Sequence, residues 1–163
     1  MPTNDPLAIY LHDHLAGSKV AIDLLRALRD QHAGEALGQF AAELLVEIEA
    51  DRVVLRELVE RAGAGRSNRV KEGLAWLSEK VIRVKLHRRA GRGLGTFQML
   101  ETLALGILGK LTLWQALEAI ATADSRLRSV DFDHLTARAQ AQHDQVEERR
   151  LEAARTVFQF TPE

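Results

Sequence analysis

The sequence predicts an all-α protein built as a four-helix bundle with one additional helix. Hydrophobic residues recur at intervals of three and four along the chain, and no convincing stretch shows the alternation of period two that is typical of strands. Only three prolines occur in 163 residues, at positions 2, 6 and 162. Because proline breaks helices, their absence between residues 7 and 161 permits long helices throughout.

Composition limits the classes of protein to consider. Hydrophobic residues make up 46% of the chain and charged residues 28%, which is typical of a globular protein, and 163 residues fit a single domain, 1–163. The chain has no cysteine, which excludes disulfides, thiolate metal sites and cysteine nucleophiles. The first residues carry neither a basic start nor a long apolar run, so we expect no signal peptide and a cytoplasmic location.

The first predicted helical hairpin covers residues 5–62. Its first helix runs from about residue 5 to residue 31, with Pro6 in the first turn, and Gly34 marks the turn to a second helix over 35–62. Glycines at 63 and 65 end that helix.

A second hairpin is predicted over residues 96–158, with helices at 96–122 and 131–158. A crossover helix over 68–89, ended by the glycines at 91, 93 and 95, connects the two hairpins. Short turns imply antiparallel neighbours, so we expect an antiparallel four-helix bundle with an extra crossover helix. The most apolar stretch, 102–120, contains charged residues and is expected to be a buried core helix rather than a membrane span.

Several polar residues lie in apolar surroundings. If the first hairpin turns near Gly34, His14 faces Asp51, and each would stabilise the other in a low-dielectric helix interface. This pair either fixes the helix register or, together with Glu47, forms a metal site, since oxygen and imidazole ligands suit iron, manganese or zinc. We favour the structural pair.

Three further residues could take part in chemistry. Glu101 is the one acid at the start of a long apolar helix, where it is either a ligand or proton carrier, or an exposed carboxylate in the first turn that favours the helix dipole. His143 and Glu147 are four apart on one helical face, a spacing that can chelate a metal but that occurs often by chance on charged helices.

Two long hairpins joined by a long crossover, with His14, Asp51 and Glu101 at these positions, resemble the ferritin-like superfamily. The resemblance implies a carboxylate and histidine site for two irons or manganese, used for oxygen chemistry or metal storage, with Glu-x-x-His motifs on two helices. No Glu-x-x-His occurs in this sequence. The candidate metal ligands of an atypical site are His14, Glu47, Asp51, Glu101, His143 and Glu147.

Charge is distributed unevenly. Residues 66–92 hold nine basic side chains against two acidic ones, a net charge of +7 in a chain whose total is −1. We expect this segment to dock as the crossover helix against acidic neighbours. The alternatives are a surface for a protein partner or, with least support, peripheral contact with anionic lipid or nucleic acid.

These observations favour a protein that is not an enzyme. No serine lies in a Gly-x-Ser-x-Gly context, and the glycines at 91–95 do not follow a strand. We therefore expect a ferritin-like bundle with a structural or protein-interaction role, no cofactor and a degenerate metal site, associating with itself or with a protein partner around Trp76 or Trp114. The alternatives are an iron or manganese oxidase or storage protein, and a basic-helix module that binds lipid or nucleic acid.

Overall fold

The computed structural model describes residues 5–63 and 92–159, and within these ranges the chain forms helices and turns without strands. Four long helices occur there, which confirms the predicted all-α class. They are α1 (Pro6–Gln31), α2 (Ala36–Arg61), α3 (Arg92–Ile120) and α4 (Phe132–Val157). The predicted crossover helix at 68–89 lies outside the described residues.

Side chains with acceptor oxygens start two of the helices. Asp5 caps α1 by accepting a hydrogen bond from the backbone N–H of Leu7 at 3.1 Å, and Pro6 then occupies the first turn, where its missing N–H costs nothing. Asp131 caps α4 in the same way, accepting from the backbone N–H of His134 at 2.9 Å.

Helix α3 starts earlier than the sequence indicates. The predicted start at residue 96 is wrong, because the helix already begins at Arg92 and includes Gly93 and Gly95. Glycine disfavours a helix interior, but packing can override that preference. A Cβ atom at Gly93 would lie 3.0 Å from Cγ2 of Val157 at the end of α4, so glycine allows these two helix ends to approach closely.

Two apolar cores lie one after the other along the bundle. One contains Leu25, Leu44 and Leu103 with their neighbours, and the other contains Leu11, Leu58 and Trp114 with theirs. Trp114 is 0% exposed. The indole of Trp114 fills the second core and is not itself exposed for contact. Self-association around Trp76 or Trp114 stays a prediction, and Trp76 lies outside the described residues.

Polar contacts hold the ends of the helices together. At one end His32, which follows α1, lies with its Nε2 2.9 Å from Oγ1 of Thr96 in the first turns of α3. At the other end Arg126 in the α3–α4 connection binds both Asp5 and Asp124, and this arginine lowers the pKa of Asp124 to about 2. Contacts thus join α1 to α3 at one end of the bundle, and α1 to the α3–α4 connection at the other end.

The apolar character of α3 also meets a membrane criterion. Among the described residues, Gly93–Ile120 is the one stretch long and apolar enough to cross a membrane by length and composition. Core helices of soluble proteins meet the same criterion. In this structure Leu103 and Ile107 pack in the first core, and Trp114 and Leu117 pack in the second.

The α1–α2 turn depends on a glycine. Gly38 is buried, and a Cβ atom there would lie 2.1 Å from the backbone oxygen of His32. Gly38→Ala is therefore expected to lower the free energy of unfolding by about 1–3 kcal/mol, the usual cost of overpacking. Chemical denaturation followed by circular dichroism measures the change.

Gly95→Ala is the matched control. A Cβ atom at Gly95 meets nothing within 4 Å, so this substitution should stabilise α3 by about 0.5–1 kcal/mol. Equal effects of the two substitutions would contradict the steric role of Gly38.

Candidate functional site

Asp51 is the centre of a polar cluster inside the bundle. Its residue is 2% exposed, and its two carboxylate oxygens accept hydrogen bonds from different cations: Oδ2 from Nζ of Lys110 on α3, and Oδ1 from Nη2 of Arg138 on α4. A buried carboxylate is costly unless it is paired and hydrogen-bonded. Both conditions are met here by residues from two other helices, α3 and α4.

Gln142 extends this cluster to a second acid. It is 0% exposed; its Oε1 accepts from Nζ of Lys110, and its Nε2 donates to Oε2 of Glu47 at 2.8 Å. The five residues Glu47, Asp51, Lys110, Arg138 and Gln142 are called the Asp51 cluster below. It connects α2, α3 and α4 with alternating acceptors and donors.

The Asp51 cluster lies between the two apolar cores. On α2 it is flanked by Ile48 of the first core and Leu55 of the second. The flanking residues on α4 are Val146 and Ala139, again one from each core. The hydrophobic interior is therefore divided at mid-height by one polar layer.

Burial changes the acid–base behaviour of Lys110. Removal from water lowers the pKa of its ammonium group, and the negative charge of Asp51 acts in the opposite direction. The ion pair with Asp51 thus counteracts the effect of burial on this ammonium group. Without Asp51, the lysine would lose its main stabilising partner.

The expected pairing of His14 with Asp51 does not occur. The His14 ring instead packs edge-on against Tyr10, with 4.6 Å between ring centroids. The helix register explains the difference, since Ser18, one turn later on α1, contacts Arg52 through a 2.9 Å hydrogen bond from Nε to Oγ. Burial lowers the pKa of His14, and the nearby charge of Asp13 partly offsets this effect.

The other candidate ligands lie apart from the Asp51 cluster. Glu101 has a half-exposed side chain, 3.7 Å from Arg150, as expected for a solvated carboxylate, although it lies in the third turn of α3 rather than the first. Glu147 also binds Arg150, at 2.8 Å, and this contact lowers its pKa. His143 Nδ1 lies 3.6 Å from Asp144.

These positions bear on the six residues predicted as metal ligands. Glu47 and Asp51 join the same cluster, but His14, Glu101, His143 and Glu147 have other surroundings. In the ranges 5–63 and 92–159, no group of three or more histidine and acidic side chains is arranged to hold a metal ion. Iron or manganese binding stays a prediction, and the described contacts give it no assembled ligand set.

A cavity of about 330 Å³ lies between α1, α2 and α3. Asp51 and Lys110 form part of its wall, and His14 and Trp114 line it as well. On the α1 side the lining residues include Gly17, whose lack of a side chain leaves room at this level. Cavities of this volume with a few polar groups are the usual form of small-molecule sites.

Sequence reasoning missed the two cations of the site. Lys110 is the one charge in the middle of the apolar stretch 102–120, and that isolation was the signal that it needs a buried partner. Arg138 had no such signal, because α4 is polar over most of its faces. Only the packing of α4 against α2 shows which of its arginines points inward.

Removing the charge of Asp51 should destabilise the bundle strongly. Asp51→Asn leaves Lys110 and Arg138 partly buried without their counter-ion, so we expect a loss of about 3–5 kcal/mol in the free energy of unfolding. Asp23→Asn, which breaks the exposed Lys19–Asp23 pair, is the control and should have little measurable effect. Similar losses in guanidinium titrations would show that burial of Asp51 is not decisive.

The lowered pKa of His14 predicts a pH dependence. Below pH 6.5, the ordinary pKa of histidine, the unfolded chain binds a proton more readily than the folded protein does. The stability that neutral His14 contributes above pH 6.5 is therefore lost as the pH falls through the lowered pKa of the folded state. His14→Gln should reduce the loss of unfolding free energy between about pH 7.5 and about pH 5. His134→Gln, at an exposed position, is the control. An unchanged slope in His14→Gln would contradict this origin.

Comparison of the chain with protein-family models, with curated proteins and with solved structures finds no match. No family is therefore shown by similarity. The basis for assigning a function is the geometry of the Asp51 cluster and of the cavity beside it.

Proposed function

We propose that this protein is a non-catalytic, ferritin-like bundle with a structural or protein-interaction role, in which buried cations take the place of metal ions. The observation that carries the proposal is the occupation of both Asp51 oxygens by Lys110 and Arg138. A lysine ammonium and an arginine guanidinium neutralise the buried acid, as bound metal would in a carboxylate site.

The order of contacts supports an antiparallel arrangement. On α1 and α2, Arg26 contacts Glu49, and Ser18, which is further from the α1–α2 turn, contacts Arg52. The sequence separation of contacting residues therefore increases with distance from the turn. On α2 and α4, residues 47 and 51 contact residues 142 and 138, again in opposite chain directions. We infer opposite directions for both helix pairs.

The positions of the helix ends support a long crossover between the two hairpins. Arg61, at the end of α2, donates to the backbone oxygen of Arg128, whereas Thr96, near the start of α3, contacts His32 after α1. These are opposite ends of helices that are about 39 Å long at 1.5 Å per residue. The chain between residues 63 and 92 therefore joins opposite ends of the bundle, as the crossover of a ferritin-like fold does.

Electrostatics argues against the alternative of an iron or manganese protein. A divalent cation at Asp51 would lie beside the positive charges of Lys110 and Arg138, and repulsion between like charges is strong where water is excluded. As the ligand of the metal, Asp51 would also have to lose its charge-assisted hydrogen bonds from Lys110 and Arg138. Metal binding would require both cations to move away.

A role in protein contact is consistent with the surface. Large apolar side chains are exposed on three of the described helices, among them Val46 and Val53 on α2 and Leu105 and Leu108 on α3. Exposed apolar residues that recur on one helix face are typical of interaction surfaces. We propose self-association or a protein partner, and a cytoplasmic location. Binding through the basic residues 66–92 depends on a segment outside the described residues.

Metal analysis of the purified protein tests the proposal. Without chelator or histidine tag, and after anaerobic loading with iron or manganese, the wild type should hold less than about a tenth of an equivalent per chain, because cations already fill the position. Lys110→Glu replaces a cation by a third carboxylate near Glu47 and Asp51 and should take up more manganese than the wild type. Retention of one or two equivalents by the wild type would contradict the proposal.

Light scattering on the same sample tests self-association. The expected molar mass is a multiple of the 18.2 kDa chain. A monomer at every concentration would contradict the homo-oligomer and leave contact with a different protein.

A further inference from the structure

The cavity between α1, α2 and α3 is apolar over most of its wall. Aliphatic side chains from all three helices line it, among them Ala21, Leu24, Ile48, Leu55, Leu105 and Leu113. Glycines at 106 and 109 border it on α3, and a Cβ atom at either position would meet nothing within 4 Å. The cavity is partly open to solvent, and its largely apolar wall suits an apolar chain or ring.

The volume of the cavity sets the size of a ligand. An apolar protein cavity of about 150 Å³ binds benzene, which has six carbon atoms. In proportion, about 330 Å³ accommodates roughly a dozen non-hydrogen atoms. This is the size of a carboxylic acid with ten carbon atoms.

The polar groups of the wall set the chemistry of the ligand. Lys110 has three N–H donors, and the described residues accept two of them, through Asp51 and Gln142. Arg52 gives its Nε hydrogen to Ser18, and its terminal nitrogens have no acceptor among the described residues. Donors with positive charge are thus left over at this level.

The acceptors of the wall, in contrast, are largely used. Both oxygens of Asp51 bind cations, and the Ser18 hydroxyl, which donates to the backbone oxygen of Leu15, accepts from Arg52. Asp13 is the remaining carboxylate, and it lies on the exposed side. A ligand with acceptor oxygens is the complement of such a wall.

We propose that this cavity binds a medium-chain carboxylic acid, with its apolar chain between α1 and α3 and its carboxylate on Nζ of Lys110. This binding goes beyond the proposed structural role and does not depend on the absence of metal. A bound carboxylate would add negative charge near Lys110 and Arg52 and so offset the cost of burying them.

Titration calorimetry with decanoate on the full chain tests the proposal. Decanol has the same chain without the charge, and decyltrimethylammonium has the opposite charge. Because a hydrogen bond to a charged group contributes about 1.5–3 kcal/mol, decanoate should bind about 10- to 100-fold more tightly than decanol. The ammonium compound should bind most weakly. Equal affinities for decanoate and decanol would overturn the assignment of the carboxylate to Lys110.

Two leucine substitutions on α3 test the location without touching the Asp51 cluster. Gly109→Leu places a side chain in the cavity and should abolish decanoate binding, while the gain in helix propensity keeps the protein folded. Gly95→Leu makes the same change outside the cavity wall and should keep wild-type affinity. Absence of decanoate binding to the folded wild type at two temperatures, or an equal loss of affinity in the two variants, would overturn the proposal. Neither result depends on metal content, so failure of this proposal is distinguishable from failure of the proposed function.

Discussion

The burial of Asp51 is the constraint on which the arrangement of the helices depends. A carboxylate that is 2% exposed needs counter-ions and donors at fixed positions, and these come from Lys110 on α3 and Arg138 on α4. Apolar packing alone tolerates sliding of one helix along another, because leucine contacts are not directional. The hydrogen bonds of Asp51 are directional, so they are satisfied in one register of α2 against both other helices.

The position of the Asp51 cluster also explains the two separate cores. The Asp51 cluster forms a polar layer between the first and second cores, each of which contains leucines from several helices. On α1, Ser18 lies at this level and contacts Arg52, the residue after Asp51. The cavity lies on this side of the polar layer, with Gly17, Ser18 and Ala21 in its wall on α1. The polar cluster and the cavity share Asp51 and Lys110.

The contacts of the Asp51 cluster differ from those of a carboxylate metal site. Such a site needs several acidic and imidazole ligands directed at one point, free of competing cations. Here the two acids of the layer, Glu47 and Asp51, are bound through Gln142, Lys110 and Arg138. The layer is therefore satisfied within the protein. What stays open beside it is an apolar space with spare donors, which is chemically suited to binding an organic anion rather than a metal.

The helical class and the four described helices could be predicted from the sequence to within a few residues at most ends. The apolar spacing, the caps at Asp5 and Asp131 and the glycine turns all act locally. Two errors had causes that are not local. Helix α3 begins at Arg92 and includes Gly93, which packs closely against Val157, and the partner of Asp51 depends on the register between α1 and α2. The pairing of Asp51 with Lys110 and Arg138, rather than with His14, could not be predicted in this way. These residues are 59 and 87 positions from Asp51 and meet it through helix packing that no sequence spacing encodes.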